Sequence, residues 1–282
     1  MSNAGTSGGI RVLSAPSEAC IAEIQRAMRA AGDAILAVRA GGVVRSDVKH
    51  DGSPVTEADL RADVILVHAL QAIDPATPVV SEERQHPADL DAHARHWLID
   101  PLDGTRSFLA GGDDFTVNVG LVLDGEPVFG SMLDPVGGRF YWGGTDVAAR
   151  VTDADGNCAR LRVRRCPAEG PTVLTSRWHE AAFERDVGRI EGGRRESMSS
   201  ALKFCRVAEG TADLYPRPGR TMEWDTAAGH AIVTAAGGTV SKLTGGRLRY
   251  GKPSRENPSF LVEGSPEWRR FLKPVDSSKA AS

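Results

Sequence analysis

The sequence predicts an α+β fold of two closely packed sub-domains, and three observations carry that prediction. Its first third is helical by periodicity, with apolar residues spaced in steps of three and four. The next stretch changes to short apolar runs joined by tight turns, the pattern of a largely antiparallel sheet. Beyond about residue 150, strands and helices intermix with no repeat and no low-complexity linker, which fits two halves sharing an interface. The expected division is a sub-domain over 14–150, a second over 151–273, and flexible tails at 1–13 and 274–282.

Each element has a local reason. A first helix is predicted from about Ser17 to Ala40, where Ile21, Ile24, Met28, Ala31, Ile35 and Val38 form one stripe. Ser17 can cap it and Gly41-Gly42 stops it. A second helix follows Thr56, with Leu60, Val64, Val67 and Leu70 on one face. Pro78-Val79-Val80 and Trp97-Leu98-Ile99 read as short strands that each run into acidic residues. Phe115 to Leu123, the Asp124-Gly125 turn and Val128 to Leu133 read as a hairpin, and Phe140-Tyr141-Trp142 adds a strand. In the second half, strands are expected at 160–164, 172–175 and 212–215, and helices at 178–187, 200–209 and 226–236.

Bulk properties narrow the function. A net charge of -3 gives no reason to expect nucleic-acid or membrane-surface binding, so an anionic ligand would need a local positive site. Cys20, Cys158, Cys166 and Cys205 show no Cys-x-x-Cys spacing, which argues against a zinc knuckle or redox dithiol. Free thiols fit a reducing cytoplasm. Residues Met1 to Gly9 lack a basic-then-apolar signal, and no apolar run approaches the ~20 residues of a bilayer span. The expectation is a cytoplasmic protein, monomer or homodimer, without membrane insertion. His68, His86, His93 and His96 lack ligand spacing and read as structural or surface residues.

The most informative segment is Trp97-Leu98-Ile99-Asp100-Pro101-Leu102-Asp103-Gly104-Thr105. In a continuing strand, Asp100 and Asp103 would point to opposite faces. Pro101 and Gly104 instead predict a tight turn that brings both carboxylates to one side. Paired carboxylates suit Mg²⁺, a hard cation that takes oxygen ligands. The Gly104 and Thr105 amides after the turn suit a phosphate oxygen. Read alone, Asp-Pro-x-Asp-Gly is also the composition of a surface turn. Ser81-Glu82-Glu83 at a strand end and Glu223-Trp224-Asp225 at a helix start have similarly plain readings, because acids are favoured there. So does Asp59, because Thr56-Glu57-Ala58-Asp59 is a capping box.

Taken together, these segments resemble the inositol monophosphatase superfamily of Mg²⁺ phosphatases. The matching pieces are Ser53 to Asp59, Val80 to Glu83, Trp97 to Thr105 and Trp224 to Gly229, in the family's order, within residues 17 to 264. The resemblance implies a layered αβαβα sandwich. Within the superfamily, Asp114 to Asn118, Thr175 to His179, Ser199 to Cys205 and Ala208 to His230 most resemble the bacterial 3'(2'),5'-bisphosphate nucleotidases. Those enzymes hydrolyse adenosine 3',5'-bisphosphate to AMP and phosphate, and often the phosphosulfate analogue.

The resemblance also implies roles. Glu82, Asp100, Asp103 and Asp225 would bind two or three Mg²⁺ ions through carboxylates, and Leu102 through its carbonyl. Asp59 and Thr105, with Glu82, would orient and deprotonate the attacking water. Gly104 and Thr105 would contact the phosphate, and Ser200, Lys203, Arg177 and His179 the phosphorylated nucleotide. A helix lysine such as Lys203 also has an ordinary reading as a solvated side chain. Arg106-Ser107, Gly111 to Asp114 and Trp178 depart from the common pattern, and these departures bear on substrate preference. An inositol or sugar phosphatase of the same fold stays open, as does a catalytically silent metal- or nucleotide-binding module.

Overall fold

The computed structural model describes residues 15–49, 52–84, 94–176 and 189–273. Both expected tails, the helix expected at 178–187, and His86 and His93 lie outside these residues. Among the described residues, no helix is long and apolar enough to cross a membrane.

Helix α1 spans Glu18–Ala40, and Ser17 caps it by accepting the Cys20 amide at 3.3 Å. Its stripe Ile21, Ile24, Met28, Ala31 and Ile35 is buried. A small hairpin, β1 (Ser46–Val48) with β2 (Pro54–Thr56), leads into α2, Glu57–Ile73. The face of α2 that carries Leu60, Val64, Val67 and Leu70 is only partly buried. Val67 and Leu70 are buried, but Leu60 and Val64 are 50% and 61% exposed. The inner face instead carries Ala58, Asp59, Ala62, Asp63 and Leu66. Two acids can face inward there because each finds hydrogen-bond partners, and an apolar count reads them as solvent-facing.

Seven strands form the first sheet: β3 (Val79–Ser81), β4 (His96–Asp103), β5 (Thr116–Leu123), β6 (Glu126–Asp134), β7 (Arg139–Gly144), β8 (Val147–Thr152) and β9 (Cys158–Arg160). They lie in sequence order, with β3 parallel to β4 and every other pair antiparallel. The β5–β6 turn is Asp124-Gly125, with φ of 53° and 71°, the paired positive φ of a type I′ hairpin. Residue 150 falls inside β8, so this sheet continues to Arg160. The strand expected at 160–164 is not formed: only Arg160 is strand, as the last residue of β9. Leu161 still donates to the Ala149 carbonyl, but Val163 donates to Ala236, so the chain crosses to the second half.

The turn expected at Pro101 is replaced by strand. β4 runs through Pro101 to Asp103, and a bulge does what the turn was expected to do. Asp100 pairs with Asn118 and Asp103 with Thr116, so three steps on β4 oppose two on β5 (103 − 100 against 118 − 116). The extra residue shifts the alternation by one. Leu102 therefore packs among the core residues of α1 and α2, as Trp97 and Ile99 do, while Leu98 packs on the opposite face.

α3 is the short helix Thr105–Leu109, entered through Gly104 at φ 99°. A Cβ on Gly104 would lie 2.8 Å from the Asp114 carbonyl and 3.2 Å from Ser200 Cβ, so the position needs glycine for both space and backbone. A second sheet comprises β10 (Thr172–Thr175), β11 (Arg194–Ser197), β12 (Leu214–Arg217), β13 (Thr239–Lys242) and β14 (Phe260–Glu263), ordered β11-β10-β12-β14-β13. Two helices, α4 (Leu202–Ala208) and α5 (Glu223–Ala235), lie between the sheets, their side chains joining Leu98 and Met132 to Phe260 and Val262 in one core. A 3₁₀ helix, Pro266–Phe271, adds Trp268 to a smaller core beneath the second sheet. The result is a layered α+β arrangement.

Helix α5 rests directly on the first sheet. A Cβ on Gly120 would lie 2.8 Å from Ala227 Cβ, and one on Gly130 would fall on the Ala228 carbonyl. These close approaches through glycine and alanine set how deeply α5 lies on β5 and β6.

Candidate active site

Three acids that are far apart in the chain converge where β3, β4 and α5 meet. Glu82 follows β3, its amide bonded to the Ile99 carbonyl at 3.2 Å. Asp100 is 1% exposed on β4, and its Oδ1 accepts the Leu102 amide at 3.1 Å. Asp225 lies in the first turn of α5, and its Oδ2 accepts the Met222 amide at 2.8 Å. One carboxylate oxygen from each of Glu82, Asp100 and Asp225 lies within 4.8 Å of the others. Asp103 stands apart from this trio. Its Oδ2 takes the Ala201 amide at 2.5 Å, which ties β4 to the segment before α4.

The electrostatics follow from the crowding. Burial, then the charges of Glu82, Asp103 and Asp225, push the Asp100 carboxyl well above its ordinary range. Burial, then Asp103 and Glu82, do the same to Asp225. Burial also raises Asp103, against the Lys203 charge, the Ala201 amide and the Arg217 charge. Burial thus raises all three, repulsion adds to it at Asp100 and Asp225, and these crowded carboxylates form an all-oxygen donor set that fits a hard divalent cation.

Lys49 was not singled out by sequence. Its ammonium reaches Glu82 Oε1 at 2.6 Å and Glu83 Oε1 at 2.7 Å. Burial works against its charge, but the two glutamates outweigh burial and raise its pKa. Burial pushes Glu83 up to about 7 even beside Lys49. Nothing in the spacing of a lone lysine ahead of Ser53-Pro54 marks this contact in advance.

Asp59 and Thr105 meet beside the trio. Asp59 Oδ2 accepts the Thr56 amide at 2.8 Å and the Thr56 hydroxyl at 2.6 Å, which completes the capping box. Its other oxygen, Oδ1, lies 3.1 Å from the Thr105 hydroxyl, which is also 3.1 Å from the Leu102 carbonyl. Burial raises the Asp59 carboxyl, against the pull of its hydrogen bonds to Thr56 and Thr105.

The acid trio, Asp103 and Thr105 open onto a cavity of about 420 Å³, with Asp59 behind Thr105 and outside the lining. Every residue expected to bind metal or phosphate lines it, as do Ser200 and Lys203. Ser200 has φ 57°, a left-handed value for a residue with a side chain. Lys203 is 2% exposed, which sets aside its reading as a solvated side chain. Its ammonium donates to the Met198 and Ser200 carbonyls at 3.1 and 2.5 Å and lies 5.0 Å from the Tyr215 ring centre. Arg217 and Arg220 also line the cavity and were not among the expected site residues. Arg177 and His179 lie outside the described residues.

The sequence pattern of the inositol monophosphatase family matches residues 17–269, and the chain belongs to that family. Within it, the 3'(2'),5'-bisphosphate nucleotidase CysQ of Salmonella typhimurium is 40% identical over 238 residues, 83% of this chain and 95% of that protein. The CysQ protein of Buchnera aphidicola is 39% identical over 218 residues, 77% and 80% of the two chains. Among solved structures, CysQ from Bacteroides thetaiotaomicron superposes with a TM-score of 0.74 at 32% identity, covering 86% of this chain and 96% of that one. An inositol monophosphatase from Staphylococcus aureus reaches the same TM-score at 22% identity, over 93% and 96% of the chains, and so shares the fold.

Proposed function

We propose that this chain is a Mg²⁺-dependent 3'(2'),5'-bisphosphate nucleotidase that releases the 3'-phosphate of adenosine 3',5'-bisphosphate, and of its phosphosulfate analogue, in the cytoplasm. One observation carries the chemistry: Glu82, Asp100 and Asp225 converge within 4.8 Å beside the Asp59–Thr105 pair. Identity of 40% to a bisphosphate nucleotidase over 83% of the chain supports the substrate class.

In this reading, Glu82, Asp100, Asp103, Asp225 and the Leu102 carbonyl hold two or three Mg²⁺ ions. Bound Mg²⁺ supplies positive charge against the phosphate oxygens and makes water more acidic. The protein's own groups orient the attack. Thr105 gives its hydroxyl hydrogen to Asp59, which leaves the Thr105 oxygen lone pairs to accept a hydrogen bond from water. As the water oxygen bonds to phosphorus, its proton passes to Thr105 and the Thr105 hydrogen moves to Asp59. The bond from phosphorus to the 3'-oxygen breaks, and that oxygen takes a proton from solvent. The Gly104 and Thr105 amides open α3, where first-turn N–H groups have no partner within the helix, and they receive the phosphate. Ser200 and Lys203 form the wall against the nucleotide, with Arg177 and His179 as further contacts.

The test is a phosphate-release panel under Mg²⁺ titration. Adenosine 3',5'-bisphosphate should exceed inositol 1-phosphate and fructose 1,6-bisphosphate in kcat/KM by at least ~10-fold, a discrimination of about 1.4 kcal/mol. A reversed order would make the chain an inositol or sugar phosphatase. No release from any of them would leave a silent binding module.

A further inference from the structure

Glu82 stands on a turn, so its position depends on what holds that turn. β3 ends at Ser81, and the chain reverses with the Arg84 amide bonded to the Ser81 carbonyl at 3.2 Å. Asp63 grips both sides of the reversal. Its Oδ1 accepts the Ser81 hydroxyl at 2.5 Å, and its Oδ2 accepts Arg84 Nε at 2.7 Å. Asp63 is 5% exposed and does not line the cavity. It follows Asp59 by four residues on α2, so the two carboxylates share one helix face about 6 Å apart along the axis. One points to Thr105 and the other to the turn beside Glu82.

We propose that Asp63 is a positioning residue for the metal site, holding the Ser81–Arg84 turn so that Glu82 stays within reach of Asp100 and Asp225. The inference rests on the reading above that Glu82 is a metal ligand. The physical reason is competition. Lys49 holds the Glu82 carboxylate from the β1–β2 side. To exchange Lys49 for a cation without loss of geometry, the Glu82 side chain must move while its backbone stays still. Asp63 holds the turn that carries that backbone through Ser81 and Arg84 on either side of Glu82, and α2 ties the turn to the Asp59–Thr105 pair.

The experiment measures Mg²⁺ affinity directly, by isothermal titration calorimetry on the full chain, alongside steady-state kinetics. Asp63→Asn should raise the Mg²⁺ dissociation constant by about 10-fold, the usual order for loss of a group that supports a ligand, while kcat at saturating Mg²⁺ stays within about 2-fold. Ser81→Ala should shift the same constant in the same direction. The double variant should fall short of the sum, because both substitutions cut one tether. Should Asp63→Asn fail to fold, Ser81→Ala removes only a hydroxyl and carries the same test. Asp213→Asn is the control, since Asp213 is 1% exposed and pairs with Arg164 at 2.6 Å away from the cavity. It should lower Tm and leave the Mg²⁺ constant unchanged. A folded Asp63→Asn with wild-type affinity, or a control that shifts affinity equally, overturns this inference alone. A wild-type chain that takes up no Mg²⁺ overturns the metal reading and this inference together.

Discussion

Thr105 and Asp59 lie 46 positions apart in sequence, yet the Thr105 hydroxyl rests 3.1 Å from Asp59 Oδ1. The capping box supplies the reason. Thr56 occupies Asp59 Oδ2 through both its amide and its hydroxyl, which leaves Oδ1 facing Thr105. A motif that starts a helix thereby also aims a carboxylate.

That pair gives the first prediction. Thr105→Val keeps the branched shape and removes the hydroxyl, so kcat should fall by roughly 10²-fold or more, the usual scale of proton-transfer catalysis. Thr105→Ser restores the hydroxyl and should recover most of the loss. Steady-state phosphate release on purified proteins checks both. A Val variant with wild-type kcat removes Thr105 from the chemistry.

The acid trio gives a second prediction with a definite sign. Burial and neighbouring acids raise Asp100 and Asp225, and burial raises Glu83 from 4.5 to about 7. A carboxyl raised on folding binds protons more tightly in the folded state. Its contribution to stability is therefore full below its unfolded pKa and lost as pH rises through the folded one. For Glu83 that window runs from 4.5 to about 7. Metal-free protein should accordingly gain Tm as pH falls from about 8 to 6, and Mg²⁺ should flatten that slope and raise Tm by mass action. Calorimetry in EDTA against Mg²⁺ reads this, and a metal-free Tm independent of pH would contradict it.

Removing one charge should separate stability from activity. Asp100→Asn should raise the metal-free Tm, because it removes the repulsion of Asp100 by Glu82, Asp103 and Asp225. Turnover should nevertheless fall by at least ~10³-fold, about 4 kcal/mol of transition-state stabilisation. Asp103→Asn should show a similar loss of turnover. Near-normal turnover in either variant counts against the metal assignment.

Lys203 offers a test of selectivity. Lys203→Met keeps much of the buried apolar volume and removes the charge beside Asp103. KM for adenosine 3',5'-bisphosphate should rise by about 10-fold, the scale of one lost charged hydrogen bond, with a monophosphate largely spared. Equal losses on both substrates would show that Lys203 acts by holding the Met198 and Ser200 carbonyls instead.

A last prediction concerns packing. Gly130→Ala places a methyl group on the Ala228 carbonyl, so α5 must lift from the sheet. Overpacking of this kind costs about 1–3 kcal/mol, measurable by urea unfolding, and it should weaken Mg²⁺ binding because Asp225 moves with the helix. Unchanged stability would mean that the helix seat is softer than its contacts indicate.

Much of this arrangement was legible in the residues, and the failures have specific causes. The α1 stripe and the Asp124-Gly125 hairpin follow from local periodicity and turn chemistry, and both formed where expected. The convergence of the acids was legible only through motif order, since no single segment excluded an ordinary turn or cap. At Asp100–Asp103 the residues predict a turn and the structure has a bulge. A proline there permits either, and only pairing with β5 settles which. Leu60 and Val64 face solvent while Asp59 and Asp63 turn inward to partners, which a hydrophobicity pattern does not register. Lys49 was invisible because its contact with Glu82 spans 33 residues and leaves no spacing signature.

The cavity has walls of two origins. Glu82, Asp100 and the helix bearing Asp225 are all mounted on the seven-stranded sheet, whereas Ser200, Lys203 and Arg217 come from the other sheet and the short helix beside it. Selection can therefore remodel one wall while the other stays put. A lineage built on this plan can acquire a taste for new alcohols by drift in the wall that bears Ser200, Lys203 and Arg217, as long as Asp225 and the acids of the first sheet are kept.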